Sequence, residues 1–210
     1  MARKRKEDAE KTRKRILASA LSLFTKDGYE NTTFTDIAAR LKMTKGAVYW
    51  HFKSKEQLLV ALVDLAFERF EKQMESAIPA GELTYPAVAK MMVKLALSLV
   101  EDPRAAAFFR LLKCQVKWGD ASMEKLRKDL LTNERFGPKE AFRKAIANDI
   151  AAGRIRSTVA GEEVASVSIA LWDGLVQSRI DKFLSCDIAE TLSHAYEAIW
   201  ERMKNKELRT

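Results

Sequence analysis

Glycine and proline are scarce, at 8 and 4 in 210 residues. Strand-rich folds consume both in tight turns, so this shortage counts against a β architecture. Cysteine is scarcer: Cys114 and Cys186 stand far apart, with no Cys-x-x-Cys pair. That pattern excludes a disulfide framework and a thiolate metal site, and it suits a reducing compartment. The two histidines, His51 and His194, suggest no metal cluster, and no metal or other cofactor is expected. No apolar run is long enough to span a bilayer, and the charged start lacks an apolar signal core. No membrane association is expected, and the expected location is the cytoplasm. A phosphate-cradling glycine loop, a supported Ser/His/Asp order and metal-ligand spacings are all missing, which argues against an enzyme.

What is present favours helices. The chain is 47% apolar, enough to build a core. Its commonest residues, Ala, Leu, Lys, Glu and Arg, are good helix formers. The expected fold is all-α. The net charge is +8, and it is unevenly placed. Residues 1–55 hold 14 Lys/Arg against 6 Asp/Glu, whereas residues 56–210 hold 23 of each. All excess positive charge therefore lies in the first quarter, which points to a polyanion partner there.

Periodicity organises the chain. Ile16, Leu17, Ala20, Leu21 and Phe24 form one apolar stripe, and Gly28 can cap that helix at its end. A short second helix follows, with Thr35 as its expected N-cap and Ile37, Ala38 and Leu41 buried. Thr44 caps a third. Ser54, with Gln57 three residues on, opens a long fourth helix through Ile78, closed by Pro79 and Gly81. Further helices are expected over about 84–101, from Pro103, over 121–135, over 138–152, from a cap at Thr158, and from Asp187 with Glu190 completing a capping box. The domain reading is 1–55 for the first unit and 56–210 for the second.

The stretch "TKGAVYWHFKSKEQL" at residues 44–58 places Tyr49, Trp50 and His51 side by side. Successive helical residues point about 100° apart, so three consecutive rings cannot enter one core. Val48 and Phe52, four apart, take the buried side. Lys45, Gly46 and Tyr49 then face out, with Trp50 and His51 at the edge. Three short helices, the last two joined by a tight turn, describe a helix-turn-helix, whose final helix lies in the major groove of DNA. Gly46 lets backbone approach a base or phosphate closely. Thr44 and Lys45 occupy the positive end of the helix dipole. Tyr49 and His51 can donate to phosphates, Trp50 can pack on the sugar-phosphate wall, and Lys55, Thr33 and Thr35 can reach further phosphates. Any one of these aromatics could instead belong to the small domain's own core.

"TTFTDIAARLKMTKGAVYWHFKSKEQLL" resembles the DNA-binding signature of the TetR family of transcriptional repressors, over roughly residues 10–60. The opening "RKRKEDAEKTRKRIL" is similar to the AcrR-like branch, whose members control multidrug efflux pumps. The resemblance implies a homodimeric repressor that binds a near-palindromic operator and is released by a small hydrophobic effector. It also implies DNA contacts at Thr33, Thr35, Thr44, Lys45, Gly46, Tyr49, Trp50, His51 and Lys55. A transcriptional activator and an architectural DNA-binding protein are the alternatives. Gly137-Pro138 departs from the family's usually long seventh helix and bears on the shape of any pocket.

For the second domain two readings of each apolar stripe stand side by side. Phe67, Phe70, Met74, Met92, Phe109, Leu112, Trp118, Phe136 and Trp172, with Gln115 and Gln177 to orient a ligand, could line an effector pocket or form ordinary core. Val164, Val167, Ser168, Leu171, Gly174 and Leu175 on one helix, and Leu192, Tyr196 and Ile199 on the next, could pair subunits as a four-helix bundle or pack within one subunit. Cys114 is expected to be buried.

Overall fold

The computed structural model describes residues 2–79, 83–119, 123–124 and 137–204, and every regular element among them is a helix. In order they are α1 (Ala2–Asp27), α2 (Phe34–Leu41), α3 (Lys45–His51), α4 (Lys55–Ala77), α5 (Tyr85–Glu101), α6 (Pro103–Arg110), α7 (Pro138–Ala151), α8 (Gly161–Ile180) and α9 (Ile188–Lys204). A π turn, Leu111–Gln115, extends α6. Of the helix expected over 121–135 only residues 123–124 are described, and both are helical; the rest of it, and Gly81 after α4, lie outside the described residues.

The contacts divide the chain into two compact units. The first is Met1–Ala66 with Ala107–Asn133, and the second is Phe67–Ala106 with Glu134–Thr210. α4 belongs to the first unit as far as Ala66 and to the second from Phe67.

In the first unit, α1 supplies Ile16, Leu17, Ala20 and Phe24, all at most 1% exposed. It stops at Gly28, whose φ of +91° suits glycine, and the Gly28 amide donates to the Phe24 carbonyl at 3.1 Å. α2 adds Phe34, Ile37 and Ala38, α3 adds Val48 with Phe52 behind it, and α4 adds Leu58, Leu59 and Leu62. Leu111, Val116 and Met123, which follow α6, enter the same core. Cys114, expected to be buried, is exposed in the π turn between two buried neighbours, Leu111 and Val116. The wide π turn puts those two on the inside and leaves Cys114 facing out.

Two caps differ from expectation. Thr33, not Thr35, caps α2, because Asp36 three residues later closes a reciprocal capping box with it and Phe34 is drawn into the core. α8 starts at Gly161 rather than at Thr158, with no side-chain cap; Glu162 and Glu163 in its first turn complement the helix dipole instead. The caps at Thr44 and Asp187 are found where the sequence places them.

The second unit is built around tyrosines. Tyr85 is fully buried, and its ring contacts those of Phe142, Tyr196 and Trp200. The Tyr85 and Ser168 hydroxyls share a hydrogen bond at 3.0 Å, and the Tyr196 hydroxyl donates to the Ser168 carbonyl at 3.3 Å. Burial pushes the Tyr85 phenol up to about 12. The fully buried Asp149 accepts from the Tyr85 amide at 2.7 Å and from Arg154 Nε at 2.5 Å. It thereby ties the end of α7 to the start of α5.

Removing that carboxylate leaves the Tyr85 amide buried without an acceptor. Asp149→Ala is expected to cost about 2–3 kcal/mol. Urea unfolding followed by circular dichroism measures this, and an unchanged midpoint would show that Asp149 carries no such role.

Candidate nucleic-acid interface

α3 has seven residues, and its position is fixed from both ends and from below. Ahead of it, Lys42 adopts a left-handed conformation (φ 55°) that ends α2 and turns the chain. The Met43 amide donates to the Ala38 carbonyl at 3.0 Å, completing the turn. The Thr44 hydroxyl then accepts from the Ala47 amide at 3.2 Å, which starts α3. At the far end the Lys53 ammonium donates to the Tyr49 carbonyl at 2.8 Å. Beneath, Val48 is fully buried and Phe52 is 2% exposed.

The opposite side of α3 is wet. Tyr49 is 41% and Trp50 68% exposed, unusual for large aromatics. The Lys45 ammonium lies 5.6 Å from the Tyr49 ring centre, a cation–π contact that holds a cation and a phenol together on one face. The back of the Tyr49 ring leans on Phe34 at 4.6 Å between centroids, so the phenol is braced without being covered. Trp50 meets His51 edge to face at 4.6 Å. A Cβ added to Gly46 would meet only Thr44 Oγ1, at 3.9 Å. Nothing inside the protein therefore requires a glycine there, whereas a surface pressed onto this face would.

The other expected contacts are placed less uniformly. Thr35 and Thr44 are exposed. Thr33 is exposed too, but its hydroxyl donates to Asp36 Oδ2 at 2.6 Å, so its proton is already engaged. The Thr33 hydroxyl and amide bonds hold the Asp36 carboxyl below the usual carboxylate range. His51 is half-buried; burial first, and the neighbouring Arg13 charge second, lower its pKa, with Glu10 opposing. The net effect favours the neutral ring, which can donate one N–H. Lys55 has a role with no signal in the sequence. Its ammonium donates to the carbonyls of Tyr29 and Glu30, each at 3.0 Å, and sits 4.8 Å over the Tyr29 ring. Lys55 therefore fastens the start of α4 to the turn after α1 and keeps only one proton for a phosphate. Arg13, 4.9 Å over the Phe52 ring, helps seal the underside of α3.

The expected ligand residues do not form one set. Leu112 and Trp118 pack on the core of the first unit, where the Trp118 indole donates to the Leu112 carbonyl at 2.7 Å. Phe109 belongs to that unit as well, beneath the Lys113 ammonium, and Gln115 is exposed. In the second unit Phe70, Met74, Met92 and Trp172 are buried, and the Trp172 indole donates to the Met92 carbonyl at 2.8 Å. Gln177 bonds Asp181 through its amide nitrogen, while its buried carbonyl oxygen has no partner. Phe67 is half-buried, and a Cβ on Gly137 would come within 2.9 Å of its ring. Gly137 and Pro138 begin α7, so the chain turns there with the Phe67 ring against its backbone. Phe136 lies outside the described residues. An open groove of about 600 Å3 between α5 and α9, floored by Tyr85 and Trp200, contains none of these candidates.

Of the expected pairing residues, Ser168, Leu192 and Tyr196 are buried within the protomer's own core. Val164, Leu171, Leu175 and Ile199 are half-buried and Gly174 is exposed. On the same outer side, Val167 is 57% exposed, and Phe183 in the following turn is 86% exposed. Periodicity puts Val167 in one stripe with the buried Ser168 and gives Phe183, beyond the helix, no part in it. It does not tell an inner apolar stripe from an outer one.

The pattern that defines the bacterial regulatory proteins of the tetR family matches residues 16–62. Over 113 residues the chain is 34% identical to the uncharacterized HTH-type transcriptional regulator TtgW of Pseudomonas putida, a match covering 53% of this chain and 80% of that one. The HTH-type transcriptional regulator TtgR of the same species is 28% identical over 180 residues, 84% of each chain. The crystal structure of NalD, the secondary repressor of the MexAB-OprM multidrug efflux pump in Pseudomonas aeruginosa, superposes with a TM-score of 0.72 over 95% of this chain and 99% of that one. Its sequence identity is 22%, so that likeness is one of fold.

Gly46→Ala separates folding from binding at this face. Alanine should stabilise the helix by up to about 1 kcal/mol, yet weaken DNA binding by blocking close approach. Melting temperature and a gel-shift titration read the two effects. If binding is as tight as wild type, α3 does not press on DNA at Gly46.

Proposed function

This chain belongs to the TetR family of bacterial regulatory proteins, and we propose that it is a homodimeric repressor released from a near-palindromic operator by a small hydrophobic effector. The observation that carries the reading is the two-sided α3: Val48 and Phe52 sealed inside, and Lys45, Gly46, Tyr49 and Trp50 turned to solvent. A helix of this kind offers its first residues to base edges in the major groove while its neighbours hold phosphates. We assign base reading to Lys45, Gly46 and Tyr49, and backbone contacts to Thr35, Thr44, Trp50 and His51, with Thr33 and Lys55 contributing through the groups their internal bonds leave open.

One α3 reads only a few base pairs. Two held about 34 Å apart read two half-sites on one side of the duplex. The pairing surface we propose is the outer side of α8, through Val164, Val167, Leu171, Gly174 and Leu175, with Ile199 of α9 and the exposed Phe183 beside it. An effector acts by preferring a form in which the two reading helices no longer fit successive turns together. The proposed effector site uses the second unit's Phe67, Phe70, Met74, Met92 and Trp172, with Gln177 as the polar group. Efflux or detoxification genes are the proposed target, as the resemblance of the opening residues to the AcrR-like branch implies.

Selection of random duplexes by the full-length protein tests this reading. Two matching half-sites, with centres separated by about one helical turn, are the expected result. Recovery of random sequence would favour an architectural DNA binder, and a selected site that stimulates transcription would make the protein an activator. Thermal-shift screening with hydrophobic cations and phenolics should then find compounds that raise the melting temperature and weaken operator binding. A compound class that does the first without the second would not be an inducer.

A further inference from the structure

In the second unit α5 and α9 leave an open groove of about 600 Å3 between them, a size that suits a small molecule. Ala89, Lys90, Val93 and Lys94 line it from α5, at the three- and four-residue spacing of one helical face. Lys90 lies about 200° around α5 from Met92, so the groove and the proposed effector residues take different sides of that helix. Ser193, Glu197 and Trp200 line it from α9. Glu197 in turn lies about 200° around α9 from Ile199, away from the proposed pairing side.

The floor is aromatic. Trp200 is half-buried, and its ring lies within 5° of parallel to the buried Tyr85 ring, at 6.1 Å between centroids. The walls carry opposite charge. Lys90 and Lys94, one turn apart, are exposed on α5, and Glu197 is exposed on α9. Glu201, also at the groove, is engaged by Lys204, whose ammonium lies 5.8 Å from the Trp200 ring centre. Among the described residues, Lys90, Lys94 and Glu197 form no ion pair. Two cations and one carboxylate therefore border an aromatic floor without neutralising one another.

Neither sign alone fits such walls. An aromatic anion gains Lys90 and Lys94 but sits against Glu197, and an aromatic cation meets the reverse. A flat ring that carries a carboxylate and an ammonium close together satisfies both walls at once. We propose that the groove between α5 and α9 is a ligand site separate from the effector residues, and that it takes a free aromatic amino acid. The ring packs on Val93 and Trp200, the carboxylate meets Lys90 and Lys94, and the ammonium meets Glu197. The site stands whether or not α3 reads DNA.

The test is calorimetric titration of the full-length protein with four indole probes. L-tryptophan carries both charges, indole-3-propionate only the anion, tryptamine only the cation, and N-acetyl-tryptophanamide neither. Tryptophan should bind with a Kd below about 1 mM. Each singly charged probe should bind about three- to fivefold more weakly, as the loss of one exposed ion pair requires. Glu197→Gln should weaken tryptophan and tryptamine by that factor and spare indole-3-propionate. Lys90→Gln with Lys94→Gln should weaken tryptophan and indole-3-propionate and spare tryptamine. All three side chains are exposed and glutamine is a good helix former, so the fold is kept, which circular dichroism verifies. Failure of tryptophan to bind would overturn the proposal. Equal affinity for all four probes would overturn it too, marking instead an apolar surface for an aromatic side chain of a polypeptide. Tryptophan binding that neither variant changes would place the ligand outside the groove and overturn it as well.

Discussion

The exposed face of α3 depends on the burial of Val48 and Phe52 under a helix of two turns. A segment this short has little helical stability of its own. It holds its shape because one side is sealed against Ile37, Ala38 and α4 in a shared apolar cluster, with Thr44 capping its start and Lys53 its end. Once that side is fixed, geometry decides the other. Lys45, Tyr49 and Trp50 have nowhere to go but solvent, and the mutual contacts among Lys45, Tyr49 and Phe34 fix their directions. The chemistry that α3 offers at its surface is the consequence of what the core takes away.

The same economy runs through the rest of the first unit. Lys55 gives up two of its protons to the turn after α1, so the start of α4 is anchored to the α1–α2 corner. α4 then continues past Ala66 into the second unit as one unbroken helix. The first unit also draws Leu111, Val116 and Met123 from beyond α6 into its core. The first unit is thus assembled from two separate stretches of chain, and changes in either α4 or the segment after α6 are felt in its packing.

Much of this is legible in the residues. The stripe on α1, the stop at Gly28, the cap at Thr44 and the inward direction of Val48 and Phe52 follow from periodicity and capping chemistry, which are local. What escapes the sequence is long-range or depends on which of two apolar sides turns inward. Lys55 bonding a carbonyl twenty-five residues away leaves no trace in its neighbours. Thr35 has the chemistry of a cap, and only the pairing of Thr33 with Asp36 and the burial of Phe34 move the cap to Thr33. Ser168 and Tyr196 lie in stripes that fit subunit pairing and internal packing alike, and only the bonds of their polar atoms show them completing a tyrosine-centred core within the protomer. The exposed Val167 and Phe183 mark the outer side that periodicity does not distinguish.

At the centre of the proposal stands an α3 with one side offered to DNA and the other covered by the protein's own core. Hydroxyl-radical footprinting of the protein, read by mass spectrometry with and without operator duplex, measures both sides at once. Oxidation of Tyr49 and Trp50 should drop on adding DNA, while Val48 and Phe52 stay unreactive throughout. If Trp50 and Tyr49 oxidise equally in both states at saturating DNA, or if Phe52 reacts in the free protein, the two-sided helix is not the DNA-reading element.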